Sequence, residues 1–347
     1  MSRIVCIHTY DDIISVENLL LAWREFKRGK TQKIDVQEFE ARLMENILLL
    51  HRNLAQKVYV HGWYEAFTIS DPKRRDIHKA SVRDRLLHHA IYRILYPFFD
   101  KTFIADSYSC RNNKGTHKAI KRIETFGRKV SKNYTRTCWV LKCDIKKFFA
   151  SINQHILLAI LQGYIKDESI VWLLEGVVLS FESTGKGKGL PLGNLTSRLL
   201  VNIYMNEFDQ FVKHKLKAKY YIRYADDFVF LHQDKKYLDG LIPQVAEFLD
   251  TRLKLMLHPD KLFLKTLASG VDFLGWVHFS KHRVLRTATK RRMSSKVNRN
   301  IENKAMVASY KGMLSHGNGY KLIKEIETKI QAYALRGRGE AQIVAPQ

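Results

Sequence analysis

Two adjacent carboxylates, Asp226 and Asp227, sit in the run Tyr221-Ile222-Arg223-Tyr224-Ala225-Asp226-Asp227-Phe228-Val229-Phe230-Leu231. Aromatic and β-branched residues flank them on both sides, which predicts strand, tight turn, strand. Two acids at a hairpin tip repel each other, and a divalent cation relieves that repulsion, because Mg²⁺ takes hard oxygen ligands. An Asp-rich turn without chemistry has the same local pattern, so the surrounding chain has to decide. A third acid, Asp144, ends the apolar run Cys138-Trp139-Val140-Leu141-Lys142-Cys143-Asp144-Ile145, which reads as a buried strand. A carboxylate in that position is costly unless paired or metal-bound.

The elements that must position these acids follow from the apolar spacing. Residues 13–30 read as a helix, and a second helix carries Val36, Phe39, Leu43, Ile47 and Leu50, with Asp35 and Glu38 as its capping box. Val58 to Ile69 reads as strand broken at Asp71-Pro72. The cation-dense run Lys73 to Arg85 leads into a helix with Leu86, Ala90, Ile94 and Tyr96, where His88-His89 reads as helix surface and core edge. The loop Asp106 to His117 mixes Gly, Ser, Asn, Arg and Lys, a composition suited to phosphate oxygens and equally to a plain surface loop. Asn153 reads as a helix cap. The glycine-rich basic loop Gly185 to Ser197 leads into a helix at Asn194 or Thr196 but lacks the spacing of a P-loop, which excludes a Walker-type ATPase. Beyond the acids come a helix (Leu238, Leu241, Val245, Phe248), a strand at 262–265 and an apolar turn at Phe273-Leu274-Gly275-Trp276. From Lys281 to Lys304 the only acid is Glu302, and the last residues from Arg336 read as frayed.

Composition narrows the class. In 347 residues, 59 Lys and Arg face 34 Asp and Glu, a net charge of +25 that calls for a polyanionic partner, nucleic acid before membrane. No apolar run has transmembrane length and no signal peptide is expected. The four cysteines form no C-x-x-C pair, so neither zinc site nor disulfide framework is expected, and the reading is a reduced, cytoplasmic protein. The order β-α-α-β-β-α-β through Asp144 and the hairpin would fold as one antiparallel sheet and bring the acids together for in-line phosphoryl transfer with two Mg²⁺ ions.

In sequence order, Cys143-Asp144-Ile145 with Phe148-Phe149, Leu192-Gly193 with Ser197, Tyr224-Ala225-Asp226-Asp227, and Phe273-Leu274-Gly275 resemble the successive motifs of reverse transcriptases, over roughly residues 60–310. The resemblance implies an α+β right-hand polymerase: an N-terminal helical extension (1–57), fingers (58–137), a palm with a ferredoxin-like antiparallel sheet (138–280, with a fingers-side insertion near 167–195), and a helical basic thumb with the C-terminal tail (281–347). It implies Asp144, Asp226 and Asp227 as catalytic metal ligands, with Ile145 in the same set, two Mg²⁺ ions (Mn²⁺ a possible substitute) and Lys261 as general acid for pyrophosphate release. Phe149 resembles the aromatic gate against a ribose 2′-hydroxyl, its neighbour Phe148 being core. Arg111 and Lys114 resemble residues that hold the triphosphate, and Leu192 and Gly193 lie under the nucleotide. Tyr224 and Gly275, the latter in a turn resembling the primer grip, and thumb residues Lys290, Arg291, Arg292, Lys296 and Arg299 would contact nucleic acid. The partners implied are template RNA, a DNA or RNA primer, dNTPs and an accessory basic RNA-binding protein, with no membrane.

A hydrophobic residue before Gly193, where retroviral enzymes have Gln-Gly followed by Ser-Pro, resembles the diversity-generating retroelement lineage (Leu-Gly…Ser-Gln). Arg198 departs from both patterns. Defence-associated and group II intron-type enzymes share the chemistry. No RNase H domain is expected. A non-catalytic RNA-binding protein on the same scaffold is the alternative of a different class, and the retained acids speak against it, because binding phosphates gains nothing from buried negative charge.

Overall fold

Apolar periodicity sets the helices, and local capping ends them. The computed structural model describes residues 4–70, 74–183 and 185–341. Its helices are α1 (Tyr10–Ile14), α2 (Val16–Phe26), α3 (Ile34–Ala41), α4 (Leu43–Ala55), α5 (Val82–Asp100), α6 (Thr116–Val130), α7 (Phe148–Ser151), α8 (Gln154–Tyr164), α9 (Glu168–Leu179), α10 (Leu195–Gln210), α11 (Lys235–Leu253), α12 (Thr287–Arg299), α13 (Lys304–Leu314) and α14 (Tyr320–Ala341). Its strands are β1 (Glu65–Ile69), β2 (Arg75–Lys79), β3 (Trp139–Asp144), β4 (Tyr221–Tyr224), β5 (Asp227–His232), β6 (Phe263–Thr266), β7 (Val271–Phe273), β8 (Trp276–His278) and β9 (Arg283–Leu285).

Side chains satisfy the first-turn amides at several helix starts. Ser15, Ser81, Asn153, Asp167 and Asn303 accept from backbone N–H groups of α2, α5, α8, α9 and α13. Each such cap contributes about 1 kcal/mol.

The strands form a β1-β2 hairpin, a four-stranded sheet in the order β4-β5-β3-β6, and a three-stranded sheet β7-β8-β9. Within the four-stranded sheet β3 pairs antiparallel with β6, Trp139 opposite Thr266 and Lys142 opposite Phe263. Counting β3 as first, the strand order is 2-3-1-4, the order of a ferredoxin-like β-α-β-β-α-β unit. That order puts β5 beside β3, so the start of one strand lies next to the end of the other.

The chain gathers into two compact units. The first holds residues up to Asn113 with Cys143–Phe228 and Gly240–Leu262. Its core packs α2 on α5 and α5 on α10, with Trp23, Phe26, Phe99, Tyr204, Phe208 and Phe228 almost wholly buried. The second holds Lys114–Lys142, Val229–Asp239 and everything from Phe263. There Ile120, Trp276, Leu285, Met293, Val297, Val307, Leu314, Leu322 and Ile326 form one apolar cluster. Gly317 presses on the Trp276 ring so closely that an added Cβ would lie 2.1 Å from it.

Several expectations need correction. The capping box at Asp35 and Glu38 does not form: α3 starts two residues earlier, with Lys33 at its N-cap, and the Asp35 carboxylate instead pairs with Arg85 (2.6 Å) and Lys79 (2.9 Å). The second helix is two helices, broken at Arg42 (φ −121°, ψ 40°). Strand structure begins at Glu65 rather than Val58, because Tyr59 and Gly62 are drawn to Asp84 by their hydroxyl (2.8 Å) and amide (3.1 Å). The cation run contains strand β2, and Asp71, Pro72 and Lys73 lie outside the described residues, as do residues 342–347 of the tail. His88 is core, not surface: its Nε2 lies 3.1 Å from that of His61, and burial pushes its pKa down to about 3. The cysteines Cys6, Cys110, Cys138 and Cys143 are all free. Among the described residues no helix is long and apolar enough to cross a membrane.

Candidate active site

The site is built where β3 ends. The Ile145 amide donates to the Asp226 carbonyl (3.2 Å), fixing the tip of β3 to the β4-β5 turn. On the other side, the His258 amide donates to the Asp144 carbonyl (2.8 Å) and the Lys146 amide to the Met256 carbonyl (2.9 Å). Those bonds carry the segment 256–261 past the acid, and a short 3₁₀ turn, Pro259–Lys261, then aims Lys261 back. Its Nζ lies 2.8 Å from Asp144 Oδ1, with the Asp144 side chain 13% exposed.

Asp226 is half-buried beside this pair. Burial and then the Asp144 charge push its carboxyl above the ordinary aspartate range, with Lys261 and Arg75 opposing. Two acids thus share one small region with too little positive charge to balance both. Their hard oxygens, and the Ile145 carbonyl between them in the chain, suit a divalent ion such as Mg²⁺. Asp227 is half-buried at the start of β5. Among the described residues no three acids, histidines or cysteines converge into a ready-made metal site.

The turn that presents Asp226 is held from below by a buried ion pair. Arg223 and Asp209, on β4 and α10, have fully buried side chains. The Arg223 Nε and Nη2 donate to Asp209 Oδ1 (2.8 Å) and Oδ2 (2.6 Å), a two-pronged contact. Nη2 also donates to Ser107 Oγ (3.1 Å), and Nη1 to the Ala225 carbonyl (3.2 Å). Tyr221 Oη donates to the same Asp209 Oδ1 (2.8 Å). Ala225 sits at φ +56°, a left-handed conformation that a residue with a Cβ adopts only when its surroundings fix it. Arg223 supplies that fixing through the Ala225 carbonyl. Spacing alone gave no sign of this pair, since Asp209 lies on a helix fourteen residues away; an arginine inside an otherwise apolar strand was the one available signal.

Strand β2 packs onto the loop after the glycine-rich run. The His78 amide donates to the Leu192 carbonyl (3.0 Å), and Asn194 Nδ2 to the His78 carbonyl (3.2 Å). Gly193 sits at φ +111°, and an added Cβ would lie 2.9 Å from Ile77 Cγ2. Only glycine meets both conditions without strain. Phe149 is half-buried, stands edge-on to Phe148 (5.6 Å) and accepts the Leu190 amide on its carbonyl (2.9 Å), while Phe148 is core. Arg75, on β2, is a second cation, after Lys261, that lowers the Asp226 carboxyl electrostatically. Arg111 does not reach out: its side chain is 5% exposed and bonds Asp100 Oδ1 (2.7 Å) and the Ile104 and Ser107 carbonyls (2.7 and 3.1 Å). The structure makes it the brace of its own loop. Tyr224 is half-buried at the end of β4.

The remaining expected residues lie in the second unit. Lys114 precedes α6. Leu274 (φ +52°) and Gly275 (φ +86°) make the tight β7-β8 turn, with Phe273 opposite Trp276. On α12, Met293 and Val297 face the apolar cluster while Lys290, Arg291, Arg292, Lys296 and Arg299 are exposed.

Residues 70–278 match the family model described as "Reverse transcriptase (RNA-dependent DNA polymerase)". The chain belongs to the reverse transcriptase family. With that membership goes the right-hand polymerase fold, whose palm is the β4-β5-β3-β6 sheet. Among similar proteins, Protein YkfC of Escherichia coli is 24% identical over 64% of this chain and 66% of its own length. The group II intron-encoded protein LtrA of Lactococcus lactis is 24% identical over 67% of this chain and 48% of its own. Nuclear intron maturase 4 of Arabidopsis thaliana is 33% identical over 37% of this chain and 16% of its own. The chain thus spans less than half the length of these two intron proteins. Among solved structures, an apo telomerase from Candida tropicalis superposes with a TM-score of 0.49 at 13% identity, over 70% of this chain and 60% of that one.

Proposed function

We propose that this reverse transcriptase copies a template RNA into cDNA, with Asp144 and Asp226 as its principal metal ligands. One observation carries the reading: the tip of β3 and the β4-β5 turn are joined by the Ile145–Asp226 bond, and the two acids repel each other there. Asp144, Asp226 and the Ile145 carbonyl would hold two Mg²⁺ ions (Mn²⁺ a substitute), with Asp227 as the accessory acid. When bound, such ions activate the primer 3′-hydroxyl and neutralise the triphosphate. Lys261, tethered by Asp144, donates the proton to the departing pyrophosphate. Arg75 takes the triphosphate-binding role, Arg111 acts by bracing its loop, and Lys114 contributes a further cation. Phe149 bounds the sugar, and Leu192 with Gly193 forms the floor under the base. Tyr224 and the Gly275 turn touch the primer, and the exposed face of α12 follows the duplex backbone. In these terms residues 1–57 are an extension, 58–137 fingers, 138–280 palm and 281–347 thumb.

The direct test is extension of a DNA primer on a defined RNA template by purified protein with Mg²⁺ and dNTPs. The expected result is full-length cDNA, lost on chelation; folded protein that never extends would overturn the reading. Product sequences then separate the hosts. Leu192 before Gly193 favours a diversity-generating retroelement with an accessory basic RNA-binding protein, which predicts errors concentrated opposite template adenines. The intron-named relatives favour a group II intron-type enzyme, which predicts evenly low error.

A further inference from the structure

The N-terminal helices differ in character from the rest of this basic chain. Residues 1–57 carry nine Lys and Arg against eight Asp and Glu, in a chain whose net charge is +25. Nucleic acid has little to attract it there, and like-charge repulsion between two copies is weakest there. The same stretch shows apolar surface. Helix α4 buries Ile47, Leu50 and Leu54 completely, yet Met44, Leu48 and Leu49 on its other side are 50%, 44% and 54% exposed.

The exposed stripe runs Glu45, Leu48, Leu49, Arg52, at helical spacings of three, one and three. These four lie on one face. The pattern is palindromic in charge: an acid one turn before the leucine pair and a base one turn after it. Two such helices laid antiparallel about a two-fold axis between Leu48 and Leu49 match themselves. Leu48 meets Leu49 of the partner subunit, Glu45 meets Arg52 of the partner subunit, and symmetry repeats each contact. A parallel pairing sets acid against acid and base against base. In the single chain Glu45 pairs with Arg42 (2.5 Å), but those side chains are 67% and 74% exposed, and such a screened surface pair yields readily.

We infer that the Glu45-Leu48-Leu49-Arg52 face of α4 is a two-fold interface through which a second copy of this chain docks antiparallel. The inference does not depend on the polymerase reading, because none of these residues belongs to the site described above.

Sedimentation equilibrium over micromolar concentrations tests it on the full chain. Wild type is expected to show a monomer–dimer equilibrium. Glu45→Arg and Arg52→Glu should each weaken the dimer by about tenfold or more, since each turns two attractions into two repulsions. An equimolar mixture of the two variants should restore dimerisation, because the introduced arginine of one meets the introduced glutamate of the other. Leu48→Ser with Leu49→Ser should leave a monomer that mixing with either variant does not rescue. All positions are exposed, and unchanged circular dichroism checks that the fold survives. A wild type that stays monomeric overturns the inference. So does a dimer indifferent to both charge swaps, or a mixture that fails to restore it.

Discussion

At the residue scale the account turns on charges placed where water cannot attend them. Arg223 and Asp209 are buried, bonded in two places, and tied to the Ala225 carbonyl. Removing one partner strands the other. Arg223→Met is therefore expected to cost about 3–5 kcal/mol, measured by denaturant unfolding, whereas Arg223→Met with Asp209→Leu should recover most of it. A small single-variant loss would mean the pair is not closed to solvent. Asp226 gives a pH prediction. Its carboxyl is raised by burial and by Asp144, so it favours the fold only while protonated. That contribution is present below the ordinary aspartate value of about 3.9 and is lost as pH rises through the raised one. Without divalent ions, Asp226→Asn should therefore gain in Tm over wild type as pH climbs from that range toward neutral. A difference that stays flat with pH would contradict the assigned repulsion.

At the scale of elements, close contacts set what the sequence can change. Gly317 lies against the Trp276 ring, and Gly317→Ala should lower stability by roughly 1–3 kcal/mol through overpacking, read from thermal unfolding. Unchanged stability would mean the α13-α14 turn shifts freely. Much of this level was legible beforehand. Apolar periodicity located α8, α10 and α11, Asn153 capped as its residue type suggested, and Phe273 to Trp276 turned where Gly275 allows a positive φ. The failures share a cause. Asp35 looked like a cap, but two cations from distant elements claimed its carboxylate. His88 looked like helix surface or core edge but is fully buried with its Nε2 against His61, and Arg111 looked free to meet phosphate but folds back onto Asp100 and the carbonyls of its own loop. Of the candidate site, the acids were readable because a charge inside an apolar run stands out. Arg75 was noticed only as one cation in a run, because only its electrostatic reach to Asp226 in the folded chain singles it out.

At the scale of the molecule the excess of cations is the dominant fact. Helix α12 buries Met293 and Val297 and turns its basic side chains to solvent. Replacing Lys290, Arg291 and Arg299 by Ala should weaken binding to an RNA–DNA hybrid and reduce the salt slope of its log affinity by about 2–3, near one per lost phosphate contact. A slope that does not change would place the nucleic acid elsewhere. Under the proposed function, catalysis rests on the acids and duplex binding on the α12 cations. The most direct measurement sets wild type beside Asp226→Asn in one buffer with Mg²⁺, recording both primer extension on RNA and RNA affinity. The account predicts extension falling more than about a hundredfold while affinity stays within roughly twofold. Extension near the wild-type rate, or extension and affinity falling together, would contradict it.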